Sequence, residues 1–306
     1  MKNNLLNKKT IILIFAIILI VITIAVAKSL NQKKETVIFQ NKSFLITSKI
    51  KISKPLNKIK YLAINGSISF LLNNISVDVF QNDTLFKGDI LVLPGWNFKR
   101  NIWCDSSNFC SLALKKGFRL ILPEMGKSIY SSSFYPETRK DWKKYPKLSW
   151  VTDSLIPFMQ KKYGVFVTKK NYILGLSTGA RGVILIGINT DTLFTKGAAL
   201  SGDYNQTKMP NDNLITGYYG SYYKHRKRWE ELDNPLRNSK SIKFDLYLGH
   251  GQNDKVVSFS QSVELYDSIK KNNKNINVIL STPNKKGHNF SYWRSEIDSI
   301  LTFFEK

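Results

Sequence analysis

Histidine and cysteine are scarce in this chain: its 306 residues include three histidines and two cysteines. Neither cysteine lies near a histidine in sequence, and no two histidines have the spacing of metal ligands, so no metal site is expected. With no cysteine before Cys104, an N-terminal lipid on cysteine is not expected either. Acidic residues are also few, 22 Asp and Glu against 46 Lys and Arg, for a formal net charge of +24. Such an excess suits anionic partners, yet no nucleic-acid motif accompanies it, which argues against a nucleic-acid partner. Internal repeats and low-complexity tracts are missing, and the length suits one substantial α/β domain around a single core.

The first ten residues carry Lys2, Lys8 and Lys9 and no acid, and Ile11 to Ala27 is apolar apart from Thr23. A basic start, an apolar core and the closing Ala25-Val26-Ala27 follow the pattern of a secretory signal. The apolar run is longer than a usual signal core of about 7–15 residues and shorter than a comfortable span of about 20. Residues 1–27 therefore read either as a cleaved signal peptide or as an N-terminal membrane anchor. No Gly or Pro interrupts the run before the cleavage position, which favours retention. In either case the remainder is expected outside the cytoplasm, with 28–36 a polar, basic linker and 37–306 the folded domain.

Within that domain, Val37 to Phe80 reads as opening antiparallel strands, from the alternation in Phe44-Leu45-Ile46 and Val77-Asp78-Val79-Phe80. Strand and helix then alternate. Strands are expected at Asp89–Leu93, Phe118–Pro123, Tyr172–Leu174, Gly197–Leu200, Phe244–Leu248 and Val278–Leu280. Helices are expected at Ser111–Gly117, Lys147–Gly164, after Ser177 through Ile188, at Ser260–Lys271 and at Asp298–Phe304. This alternation predicts a mostly parallel sheet with helices on both faces.

The stretch Asn171 to Ile186, NYILGLSTGARGVILI, organises the domain. An apolar strand enters Gly175-Leu176-Ser177-Thr178-Gly179, and a helix follows. A serine on so sharp a turn needs small flanking residues, and Gly175 and Gly179 supply them. A nucleophilic serine also needs a base, and the base an orienting acid. His288 stands in a loop after the last strand and before the final helix, at the sheet edge where Ser177 is expected. Asp254 lies on the loop after the Phe244–Leu248 strand, with Asp203 and Asp245 as substitutes. His250, on the same loop as the acid, reads as structural.

GLSTGA, GHGQNDKVV and GHNFSYW together resemble the α/β-hydrolase superfamily, in its esterase D-like and mycolyltransferase-like branch. The matching positions are Gly175, Ser177 and Gly179; Gly249, Asp254 and Val257; Gly287, His288 and Trp293. Leu200-Ser201-Gly202 resembles the strand after the serine helix, and Ser154-Leu155-Ile156-Pro157 the helix before the serine turn. The resemblance covers about residues 60–306. It implies the α/β-hydrolase fold, a Ser177–Asp254–His288 triad and no cofactor. It also implies an oxyanion hole of two amides, that of Thr178 next to the nucleophile and that of Trp96, in Pro94-Gly95-Trp96 after the first central strand.

Cys104 and Cys110 flank five residues, and outside the cytoplasm so close a pair suggests a disulfide; two unpaired thiols are the alternative. A loop this short is worth roughly 2 kcal/mol by chain entropy, so its expected use is to hold the oxyanion loop. The densest basic stretch, Tyr222 to Trp229, carries Lys224, Arg226, Lys227 and Arg228. It reads as a contact for an anionic glycan or phospholipid surface, or simply as a solvated face. The expected protein is an exported serine esterase acting on a small-molecule, glycan or lipid ester. An acyltransferase with Trp103, Tyr130, Tyr135 and Trp142 lining an acceptor groove is one rival. A catalytically silent binding module is the other.

Overall fold

The computed structural model describes residues 66–82 and 85–306, all within the compact unit Pro55–Lys306. The expected signal or anchor at 1–27, the linker at 28–36 and the strand at Phe44–Ile46 lie outside the described residues. Among the described residues, no helix is long and apolar enough to cross a membrane.

The described chain builds an eight-stranded sheet in the order β1-β2-β4-β3-β5-β6-β7-β8. β1 (Ser67–Leu72) and β2 (Ile75–Phe80) form a hairpin, and β2 pairs antiparallel with β4 (Phe118–Pro123). The hairpin turns on Asn73 and Asn74, both at positive φ of 51° and 65°, the handedness that matches the twist of paired strands. All other pairings are parallel: β3 (Gly88–Leu93) between β4 and β5 (Asn171–Leu176), then β6 (Lys196–Leu200), β7 (Asp245–Gly249) and β8 (Val278–Ser281).

Burial follows from position. β3, β4 and β5 are central and buried along their whole length, so they read as continuous apolar runs, whereas edge strand β1 alternates exposed and half-buried residues. Alternate residues of β3 serve opposite faces. Leu91 and Leu93 pack with Val183, Leu246 and Leu265, while Ile90 and Val92 pack with Trp103, Leu174 and Phe304. Helices α3 (Ile156–Tyr163), α4 (Thr178–Asn189) and α6 (Ser260–Asn272) cover the first face; α1 (Ile102–Ser106), α2 (Phe109–Lys115), α7 (Phe290–Trp293) and α8 (Ile297–Glu305) cover the second.

The helix expected at 147–164 is not a plain α-helix. It opens as a π-helical stretch, Trp150–Leu155, and becomes α3 only from Ile156. Pro157 sits at the junction. Its ring would clash with the carbonyl four residues back in a straight α-helix, and a widened turn avoids that clash. α3 ends at Gly164 in the left-handed region, φ 63°.

The register aligns the strand ends that carry the loops of interest: Leu93 pairs with Gly175, Leu176 with Leu200, Leu200 with Gly249 and Gly249 with Ser281. The segments following these strands therefore emerge along one edge. Above that edge a small aromatic core of Trp142, Tyr218, Tyr219 and Trp229, with Trp96 packed on it, joins the excursion after β4 to the one after β6, which includes α5 (Asn213–Tyr219).

Candidate active site

Ser177 occupies the turn between β5 and α4 at φ 54° and ψ −125°. An L-residue reaches this conformation only under constraint, and the constraint is visible. The Ser177 amide donates to Leu200 O at 2.8 Å, tying the turn to β6. A β-carbon on Gly175 would lie 2.2 Å from Gly179 O, and one on Gly179 would lie 2.6 Å from Pro94 O. Any side chain at either position would force strand, helix and neighbouring loop apart, so both glycines are required by close approach rather than by φ.

His288 leaves the loop after β8 and meets the serine: its Nε2 is 2.9 Å from Ser177 Oγ. Its Nδ1 is 2.7 Å from Asp254 Oδ2. Asp254, on the loop after β7, is buried, and its Oδ1 accepts the amides of Val256 and Val257, each at 2.9 Å. Burial pushes this carboxyl up, but the hydrogen bonds from His250, His288 and Val257 outweigh it and hold Asp254 well below the usual carboxylate range. Trp293 stands edge-on to His288 with ring centroids 5.1 Å apart, and its indole N–H donates to Ser201 Oγ at 3.1 Å. The imidazole is thus fixed at both nitrogens and along one side.

The loop after β3 lies against the serine. A β-carbon on Gly95 would sit 3.1 Å from Ser177 Cβ. Two bonds tie this loop: Tyr130 Oη donates to Pro94 O at 2.9 Å, and the Asn97 amide donates to Gly126 O at 2.8 Å. Among the described residues, neither the Trp96 amide nor the Thr178 amide has a hydrogen-bond partner. The Thr178 amide, next to the serine, lies at the N-terminus of α4, where the helix presents its positive end; the Trp96 amide follows Gly95, the residue packed on Ser177.

Other sequence candidates fall elsewhere. Asp203 is buried against Arg181, its Oδ2 3.0 Å from Nη1, and does not meet His288. Asp245 begins β7 at the opposite sheet edge, where it accepts the Asn277 amide. The acceptor groove is corrected at three of its four residues: Trp103 and Tyr130 are wholly buried core residues and Trp142 is packed into the aromatic core beside Trp96, while Tyr135 is half-buried against Tyr219. Cys104 and Cys110 form a disulfide joining α1 to α2. Its neighbours Trp103 and Phe109 pack together, and Trp103 meets Phe290 at 5.8 Å. The bridge thus stands at the end of the loop bearing Trp96, which runs into α1, and the Trp103 ring beside it meets α7 after His288. In the basic stretch, Arg226 pairs with Glu230, and Arg228 with Glu137 and the Tyr219 carbonyl. His225 also faces Glu137, at 3.2 Å.

Three features escaped the sequence. Tyr130, at φ 57°, carries no motif that announces its bond to Pro94. The Arg181 cluster, in which the guanidinium meets Asp203, Gln206, Tyr219 and the Asp233 carbonyl, joins residues 52 apart. The contact of His250 with Asp254 was within reach, since both stand on one short loop after β7.

The arrangement provides a serine hydroxyl with a proton acceptor, an acid behind that acceptor and the free Thr178 amide beside the serine. The model of the prolyl oligopeptidase family matches residues 105–306. No curated protein matches the sequence. Among solved structures, an S-formylglutathione hydrolase from Agrobacterium tumefaciens is 13% identical with a TM-score of 0.63, over 78% of this chain and 93% of that one. FphF of Staphylococcus aureus, a fluorophosphonate-binding serine hydrolase, is 15% identical with a TM-score of 0.60, over 78% and 97%. An acylaminoacyl peptidase from Pyrococcus horikoshii is 14% identical with a TM-score of 0.56, over 78% of this chain and 40% of that one. These likenesses give the fold: it is the α/β-hydrolase fold.

Proposed function

This chain belongs to the prolyl oligopeptidase family and is a serine hydrolase, and from that premise we propose that it cleaves carboxylic esters through Ser177, His288 and Asp254. The observation that carries the proposal is the unbroken line from Ser177 Oγ to His288 Nε2, 2.9 Å, and from His288 Nδ1 to Asp254 Oδ2, 2.7 Å. Ser177 Oγ attacks the acyl carbon while His288 Nε2 takes its proton. The carbonyl oxygen becomes an oxyanion between the amides of Trp96 and Thr178. Collapse expels the alcohol, which receives the proton from His288, and leaves an acyl group on Ser177. Water, deprotonated by His288, then releases the acid. Asp254 stays ionised throughout and holds the imidazole with its proton on Nδ1.

Ester chemistry is motivated by the S-formylglutathione hydrolase and FphF among the structural neighbours, and the acylaminoacyl peptidase, matched over the same 78% of this chain, makes peptide cleavage the alternative to be tested. Export is part of the same proposal, motivated by the basic, apolar start of the sequence and by the Cys104–Cys110 bridge. An anionic surface is met, in this reading, by Lys224 and Lys227, the members of the basic stretch without an acidic partner among the described residues. The test is hydrolysis of esters and peptides of graded length by wild type and Ser177→Ala. Turnover of esters but not peptides, lost in the variant, is expected. Faster peptide cleavage overturns the ester assignment, and acyl transfer to an added alcohol without hydrolysis favours the transferase.

A further inference from the structure

One buried, ionisable side chain touches this machinery and has no part in the chemistry above. His250 follows β7 directly and is fully buried. Its Nε2 lies 3.2 Å from Asp254 Oδ2 and 3.0 Å from the Val257 carbonyl oxygen, and its Nδ1 lies 2.7 Å from Ser262 Oγ on α6. A nitrogen facing a carboxylate and a carbonyl, neither of which has a proton to give, must itself carry the hydrogen. A singly protonated ring therefore bears its proton on Nε2, and Nδ1 accepts from the Ser262 hydroxyl. His288 is the reverse, donating from Nδ1 to Asp254 and accepting at Nε2 from Ser177. Both rings aim at the same carboxylate oxygen.

We propose that His250 is a positioning residue for the proposed triad: its Nε2–H pins Asp254 Oδ2 on the line to His288, and Ser262 pins the His250 ring. The inference rests on the Ser177–His288–Asp254 reading. The torsion that turns a carboxylate about its Cβ–Cγ bond is broad and moves both oxygens together. The amides of Val256 and Val257 restrain it from Oδ1, and His250 adds a donor on Oδ2 itself, the oxygen that meets His288. His250 supplies a fixed reference from inside the domain. Two N–H donors on Oδ2 also make that oxygen a poorer base, so the proton gained by His288 from Ser177 stays on the imidazole. The depressed pKa of Asp254 agrees with that effect.

His250→Gln and His250→Asn separate this role from mere packing. The Gln amide nitrogen stands as many bonds from Cβ as Nε2 does and can still reach Asp254, though it gives up Ser262. The Asn amide reaches only as far as Nδ1, so it can keep Ser262 but not Asp254. On an ester substrate, the Gln enzyme is expected within about threefold of wild type. The Asn enzyme should lose on the order of 10²-fold in kcat with KM little changed, at a melting temperature similar to that of the Gln enzyme. Equal activities, or a faster Asn enzyme, overturn the proposal. Nitrogen-15 spectra of histidine-labelled wild type give a second readout that no variant can spoil. His250 is expected protonated at Nε2 and bare at Nδ1, the opposite of His288. A proton on His250 Nδ1 with Nε2 bare overturns the proposal, and if the Asn enzyme does not fold, this measurement decides alone. Full ester turnover by Ser177→Ala would instead remove the triad reading, so the two failures are distinguishable.

Discussion

Asp254 and Asp203 are both buried carboxylates on loops that follow neighbouring parallel strands, and both accept charged or polar donors from elsewhere in the chain. Their surroundings drive them in opposite directions. Around Asp203 desolvation prevails over Arg181, and the carboxyl is raised above its usual value. Around Asp254 desolvation is overcome by donors from His250, His288 and the loop amides, and the carboxyl is lowered. Burial alone does not mark a reactive acid. What differs is where the donor leads. The imidazole on Asp254 continues to a half-buried serine in a strained turn, whereas the guanidinium on Asp203 continues only to Gln206, Tyr219 and the Asp233 carbonyl. In the proposed function one carboxylate orients a ring that moves a proton; the other fastens the excursion after β6 to the helix behind the serine.

The largest effects that sharpen this contrast lie on the Asp254 side. His288→Ala is expected to lower kcat on a small ester by roughly 10⁶-fold, and Asp254→Asn by roughly 10⁴-fold, with little change in melting temperature for the former. Stopped-flow and long-time assays measure both. Comparable activity in wild type and Asp254→Asn would remove the distinction between the two acids.

On the Asp203 side the effect should be one of stability. Arg181→Met leaves Asp203 buried without its counter-charge, and removal of one partner of such a pair costs about 3–5 kcal/mol. Urea unfolding should show this loss, while activity below the transition stays within a few-fold of wild type. A kcat loss as large as that of Asp254→Asn, in folded protein, would make the Arg181 cluster part of the chemistry.

The two acids should also give opposite slopes of stability against pH. Asp254 is depressed in the folded state, so its contribution is complete above the ordinary carboxyl pKa, about 4, and is lost as pH falls below that. Asp203 is raised, so the folded state binds its proton more readily than the unfolded chain, and stability falls as pH climbs from about 4 through the raised value. Denaturation of wild type, Asp254→Asn and Asp203→Asn between pH 3 and pH 7 isolates each term by difference, and equal slopes would contradict the contrast. The smallest effect is expected away from both acids. Replacing Cys104 and Cys110 together by Ser should lower stability by roughly 2 kcal/mol and leave ester turnover nearly unchanged.

Much of this contrast was legible in the sequence, but unevenly. The strand-to-helix turn at Ser177 announces itself because its chemistry is local: two glycines within four residues permit the close approach. Asp254 and His288 were legible through order and loop position, since parallel strands deliver the ends of successive strands to one edge. The pairing of Asp203 with Arg181 was not, because an arginine inside an apolar helix gives no periodic sign of the acid it meets 22 residues later. Trp103 and Tyr130 misled for a related reason. Aromatic residues near a site read as a groove, yet α1 and the β4 excursion turn these side chains into the core. The π-helical start at Trp150 was hidden likewise, since its apolar spacing resembles that of an α-helix until Pro157 is weighed.

The central claim is that Ser177 carries the acyl group, and the most direct measurement is the intact mass of the protein quenched within milliseconds of mixing with an activated ester, followed by peptide mapping. The account predicts one acyl group per chain on the peptide containing Ser177, formed in a burst before steady-state turnover and missing in Ser177→Ala. Turnover at the wild-type rate with the acyl group on another residue, or by Ser177→Ala itself, would contradict it.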